Sequence, residues 1–132
     1  MTPEEYVKNA IKTESPIIPG LDKTKARLLH ASMGCATEAM ELLDALKKHL
    51  FYNKPLDITN IEEEVGDLFW YISIIAHVLG FNFDYIWDKN IAKLKARYPD
   101  SFTEENAIHR DLQAERKILE DEQGLIAKKI LE

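Results

Sequence analysis

Apolar residues along the chain recur at helical spacing, and proline and glycine mark where the helices end. Thr2-Pro3-Glu4-Glu5 has the order of a helix start. Thr2 can cap, Pro3 fits the first position because its missing N–H is not needed there, and the two acids suit the positive end of the dipole. A short helix to about Lys12 is predicted, then a loop over 13–22 containing Pro16, Pro19 and Gly20. From about Lys23 to Tyr52 only Gly34 interrupts a run of good helix formers, which predicts one long helix. Asn53-Lys54-Pro55 ends it. Asp57 or Thr59 can cap the next helix, and Thr59 with Glu62 matches a capping box. That helix runs through the apolar stretch Leu68 to Leu79 and stops at Gly80. Phe83 to Tyr98 forms a third strong helix, stopped by Pro99. Ser101 or Thr103 can cap a last helix from about Glu104 to Gln123. Gly124 interrupts it, leaving Leu125 to Glu132 as a tail. No long stretch alternates with period two, and no Asn-Gly or Asp-Gly hairpin signal occurs. The expected fold is all-α, a small antiparallel bundle of four to five helices.

Composition narrows this picture. The 132 residues suit a single domain over 1–132, large enough for a core without disulfides. Seventeen Lys plus Arg against 23 Asp plus Glu gives a net charge of −6, so no nucleic acid and no anionic membrane is expected as a bulk-charge partner. The single cysteine, Cys35, cannot form an internal disulfide, and it lies on an apolar face where it reads as packing. The first residues, MTPEEYVKNA, lack the basic start and apolar stretch of a signal peptide. Leu68 to Leu79 is too short to span a bilayer and reads as a buried core helix. A cytoplasmic location is the expectation.

The chemistry lies in the acids. On a helical wheel Leu28, Leu29, Ser32, Met33, Cys35, Ala36, Ala39, Met40, Leu43, Leu46 and Leu50 share one broad arc of the long helix. The opposite arc carries Ala31, Gly34, Glu38, Glu41, Ala45 and Lys48. Small residues flanking two acids leave space for a ligand or another helix. Glu38 and Glu41 are spaced i, i+3 and are neighbours, as are Glu64 and Asp67 on the next helix. Asp67 directly precedes Leu68-Phe69-Trp70-Tyr71, which places it at the edge of the core. Gly66 is disfavoured inside a helix by roughly 1 kcal/mol relative to alanine, a hint that something approaches the backbone there. With the short connection around Pro55, the two acid pairs can face each other across a groove. Four carboxylates repel unless cations lie between them, and all-oxygen donors favour Mg²⁺ or Mn²⁺. Spacing alone favours an ordinary solvated acidic surface over a metal site.

Glu38-x-x-Glu41, 22 intervening residues and then Glu64-x-x-Asp67 resembles the signature of the MazG-like nucleotide pyrophosphohydrolases, an all-α family of nucleoside triphosphate pyrophosphatases. The surrounding residues fit as well: Ala36-Thr37-Glu38-Ala39-Met40-Glu41-Leu42, Glu62-Glu63-Glu64-Val65-Gly66-Asp67-Leu68, and the later block Asn90 to Pro99 followed by Phe102. The likeness covers roughly Leu28 to Phe102 and leaves 104–132 as a C-terminal helical extension. It implies hydrolysis of a (deoxy)nucleoside triphosphate to the monophosphate and pyrophosphate. Glu38, Glu41, Glu64 and Asp67 would be catalytic residues and the ligands of Mg²⁺ or Mn²⁺, two or more ions per site. Water would attack phosphorus in line with the leaving group, one acid serving as base. A deoxynucleotide preference, for dGTP or dCTP, and a role in nucleotide-pool control are the guesses it prompts.

Substrate contacts follow less directly. Asn90, Lys93 and Arg97 share a stripe of their helix, where Lys and Arg can grip phosphates. Lys48 lies on the acid face beyond Glu41, and His30 lies on its edge two turns before Glu38. Trp70 and Tyr71 can stack on a base, although aromatics in such a helix usually belong to the core, as does His77. The helix from Leu68 is apolar on nearly every side and needs cover, and the family often builds its site between subunits. A homodimer or homotetramer is therefore expected. A di-iron bundle is excluded by the lack of any Glu-x-x-His. The rival is a non-catalytic helical interaction or nucleotide-binding module.

Overall fold

The structure, a computed structural model, describes residues 1–15 and 19–120. Among them are six helices and no strand: α1 Pro3–Ile11, α2 Lys23–Tyr52, α3 Ile58–Leu79, α4 Phe83–Arg97, α5 Glu104–Ile108 and α6 Leu112–Leu119. Part of the predicted 13–22 loop, and the predicted helix end at Gln123 with Gly124 and the tail, lie outside the described residues. The chain forms two compact units, Met1–Val78 and Leu79–Glu132.

In the first unit the predicted boundaries hold, and the caps explain why. Thr2 and Glu5 form a reciprocal capping box on α1. Asp22 accepts from the Lys25 N–H at the start of α2. Asn53 ends α2 with φ 52°, a left-handed conformation that asparagine tolerates. Asp57 caps α3 by accepting from the Asn60 N–H, so the Thr59–Glu62 pair lies inside the helix and does not form its start. Gly80, at φ 72°, follows the end of α3.

α2 and α3 run antiparallel, since their contacts pair residues in reverse order. His30 meets Tyr71, Glu38 meets Glu64, and Lys48 lines a cavity with Asn60. The small arc of α2 receives α3. Ala31 is fully buried and Gly34 and Ala45 are buried, and the Tyr71 ring fills the space where a Gly34 side chain would stand. The large apolar arc points outward in the single chain: Met33, Met40, Leu43 and Leu50 are each 59–70 % exposed. Ser73, Ile74, Ala76 and Val78 of α3 are buried, but Phe69 and Ile72 are exposed, so the predicted core helix is covered on one side. His77 is exposed, contrary to the expectation of a core histidine. No single described helix is long and apolar enough to cross a membrane.

In the second unit α4 pairs with α6. The predicted single helix from Glu104 is two helices, because the chain leaves helical geometry at His109 and Asp111. Asp111 accepts from the Ala114 N–H and so starts a new helix. The break has a consequence for charge. Arg110 and Glu115, five residues apart, would not meet on one continuous helix, yet here they bond at 2.8 and 3.2 Å. Arg97 of α4 reaches the same carboxylate at 2.5 and 2.9 Å.

Candidate functional site

One donor oxygen each from Glu38, Glu41 and Glu64 lies within 4.8 Å of the other two. α2 presents the first two one turn apart, and α3 brings the third across because the small arc between them allows close approach. Exposure differs sharply within the trio. Glu41 is exposed, Glu38 is half-buried and Glu64 is 4 % exposed. A buried carboxylate requires compensation, and Glu64 accepts a 2.5 Å bond from the Asn60 side-chain amide. Burial raises the Glu38 pKa above the usual carboxylate range, reinforced by its hydrogen bond with Glu64 and by the charge of Glu41.

Asp67 stands one turn beyond Glu64, exposed and outside the converging trio. Its charge reaches the same region, where it adds to the upward shifts of Glu38, Tyr6 and Tyr71. For both tyrosines burial is the larger cause.

A cavity of about 650 Å³ opens beside the acids, lined by Met40, Glu41, Leu43, Asp44, Lys47, Lys48, Asn60 and Glu64. Lys48 thus shares a wall with two of the predicted ligands. Asp44 pairs with Lys48 at 2.7 Å and also with Lys47. The two lysines hold the Asp44 pKa down to about 2. The cavity therefore carries both carboxylates and ammonium groups.

The remaining predicted contacts are placed as follows. His30 packs edge-on against Trp70 and Tyr71, with centroids 6.2 and 5.5 Å away, and Trp70 and Tyr71 meet at 4.8 Å. This is a packing cluster, tied to the loop by the Trp70 indole N–H donating to Thr13 at 2.7 Å. Asn90, Lys93 and Arg97 lie on α4 in the second unit, Asn90 exposed and Lys93 half-buried. Arg97 is committed to Glu115, which raises the Arg97 pKa. Nothing stands within 4 Å of a Cβ built on Gly66, so the neighbour expected at its backbone does not occupy the place of a side chain. The Gly66 carbonyl instead accepts from the Tyr6 hydroxyl at 3.2 Å. The tight glycine is Gly34.

Sequence reasoning missed Asn60, Asp44 and Glu115. The i, i+4 spacings of Asn60–Glu64 and Asp44–Lys48 were the available signals for two of them. Glu115 had none, since its partners depend on the break before α6.

The MazG nucleotide pyrophosphohydrolase domain matches residues 29–102, more than half of the chain and all four acids. The chain belongs to that family. No curated protein and no solved structure matches it. MazG membership carries nucleotide pyrophosphohydrolase activity in general, and the family is generally dependent on a divalent metal. The residues fit such an ion. Three carboxylates converge with no sulfur or imidazole among them, a donor set suited to a hard divalent cation.

Proposed function

We propose that this MazG chain converts deoxynucleoside triphosphates to monophosphate and pyrophosphate, with Mg²⁺ or Mn²⁺ held by Glu38, Glu41, Glu64 and Asp67. The carrying observation is the convergence of Glu38, Glu41 and Glu64 beside a cavity that also holds Lys48. Bound divalent ions would supply positive charge against the phosphate oxygens and make water more acidic. The protein's own part is to fix the acids. α2 and α3 hold three of them before substrate arrives, so little reorganisation remains at the moment of reaction. Glu41, the exposed member of the trio, is the acid best placed to exchange a proton with solvent. Lys48 binds the phosphate chain from within the same cavity.

The assembly belongs to the same reading. Leu29, Met33, Ala36, Met40, Leu43, Lys47 and Leu50 follow a 3.5-residue repeat, and all are exposed on α2. Exposed apolar area on that scale marks an association surface. A second copy laid along it gives the dimer or tetramer. Because Met40 and Leu43 also line the cavity, that copy would close one wall of the site. The chain then works as a cytoplasmic pool-adjusting enzyme, with dGTP or dCTP the first substrates to try.

The test is product analysis by HPLC for each NTP and dNTP, with Mg²⁺, with Mn²⁺ and with EDTA. Monophosphate and pyrophosphate formed only with metal are expected. No turnover of any nucleotide at high protein concentration would favour the non-catalytic helical module.

A further inference from the structure

Glu64 differs from the other two acids of the cluster in being almost fully buried, and it accepts from a neutral amide donor. Asn60 lies one helical turn before it on α3, and its amide N–H donates to Glu64 Oε1 at 2.5 Å. Asn60 is itself fixed. Its backbone N–H donates to the Asp57 carboxylate at 3.1 Å, and the Asp57 carbonyl accepts from the Ile61 N–H at the same distance. The first turn of α3 is thus pinned before the side chain reaches out. Asn60 also faces the cavity that Glu41 and Glu64 line. Neither Glu38 nor Glu41 has an amide donor of this kind among the described bonds.

We infer that Asn60 is a positioning residue for the metal site, holding one oxygen of Glu64 so that the other is turned toward Glu38 and Glu41. The inference rests on the metal reading proposed above. An amide suits this place for a chemical reason. It donates without bringing charge, so it orients the carboxylate without competing with a cation for it. A lysine there would neutralise Glu64 and an aspartate would repel it. Groups that orient metal ligands in this way typically change metal affinity or activity by roughly 10- to 100-fold when removed.

Direct Mn²⁺ titration followed by the EPR signal of the free ion reads this without turnover. The full chain would be compared with Asn60→Leu, which keeps the branched shape and loses the donor, and with Asn60→Ala. Asn60→Gln tests rescue, since it restores an amide one methylene further out. The Mn²⁺ dissociation constant is expected to rise at least tenfold in the first two variants and to recover in part in the third, with the helical CD spectrum unchanged. Purely structural support would lower Tm and leave the Mn²⁺ constant alone. Mn²⁺ binding within threefold of wild type in both Asn60→Leu and Asn60→Ala overturns the inference. Should one variant fail to fold, the other decides it. Absence of Mn²⁺ binding by the wild-type chain is a different failure, since it removes the metal reading itself.

Discussion

Gly34→Ala is the sharpest test of how the two long helices meet. A Cβ at position 34 would stand 2.1, 2.2 and 2.3 Å from Cε1, Cζ and Cδ1 of Tyr71. Carbon atoms in good contact lie at least about 3.5 Å apart, so the ring or the helix must give by about 1.2–1.4 Å or more. The ring has little freedom to do so, because Trp70 and His30 meet it edge-on at 4.8 and 5.5 Å. Overpacking of this kind costs about 1–3 kcal/mol. Replacing a helical glycine by alanine returns about 1 kcal/mol. Three overlapping ring atoms place the cost at the upper end, for a net loss of about 2 kcal/mol. In a chain of this size that lowers Tm by about 6–10 °C. Gly66→Ala is the control. It has no neighbour within 4 Å of the new carbon, so the same exchange should raise Tm by a few degrees. Differential scanning calorimetry of both variants, of Tyr71→Ala, and of Gly34→Ala combined with Tyr71→Ala, gives a complete comparison. With the ring removed, the Gly34→Ala change should turn from destabilising to stabilising. An undiminished cost in the Tyr71→Ala background would refute the packing account, and a Tm fall in Gly66→Ala would place a further surface against α3.

Three further outcomes are expected. Glu115, held between Arg97 and Arg110, has its pKa lowered to about 2 from an ordinary 4.5. A depressed carboxylate contributes stability above its unfolded value that is lost as pH falls. Urea unfolding should therefore show wild type more stable than Glu115→Gln at pH 6, with the gap closing between about pH 4.5 and 2. Breaking the exposed Arg116–Glu120 pair by Arg116→Ala should cost much less. Lys48→Ala should raise KM for the nucleotide several-fold with kcat less affected, as loss of ground-state phosphate binding requires. An equal loss in kcat and kcat/KM would move Lys48 into the transition state. Met40→Glu with Leu50→Glu, placing charge on the exposed repeat of α2, should reduce the mass found by light scattering to that of one chain. An unchanged mass would move the association surface elsewhere.

The sequence revealed the helices because their signals are local. Thr2, Asn53 and Gly80 act within a turn of themselves, and the structure uses each as expected. The acid pairs were legible for the same reason, since i, i+3 spacing fixes a shared face on any helix. What stayed hidden depends on two segments meeting. The break at His109–Asp111 gathers Arg97 and Arg110 on one carboxylate, and no spacing within a single helix encodes that. The two glycines show the limit most plainly. Gly66 drew notice by its neighbours Glu64 and Asp67 but has open space beside it. Gly34 looked like one small residue among several, and it is the one a ring presses against. Which glycine matters is a property of the partner helix.

That helix contact also bears on the chemistry. Glu38 lies one turn beyond Gly34 on α2, and Glu64 lies two turns before Tyr71 on α3. The same approach that seats the Tyr71 ring on Gly34 therefore brings the Glu38 and Glu64 oxygens within 4.8 Å of each other. A rigid helix transmits displacement along its length, because packed interiors leave few voids to absorb it. A side chain at 34 that forces α2 and α3 apart by about 1.2 Å would widen the acid cluster by a comparable amount. Cation–oxygen distances of about 2.0–2.1 Å for Mg²⁺ leave little tolerance for that. Gly34→Ala should thus weaken Mn²⁺ binding as well as stability, although residue 34 bears no ligand. Gly66→Ala lies closer in sequence to Glu64 and Asp67 and should leave Mn²⁺ affinity near wild type. If the two variants bound Mn²⁺ equally well, the spacing of the acids would be set by something other than the small arc of α2.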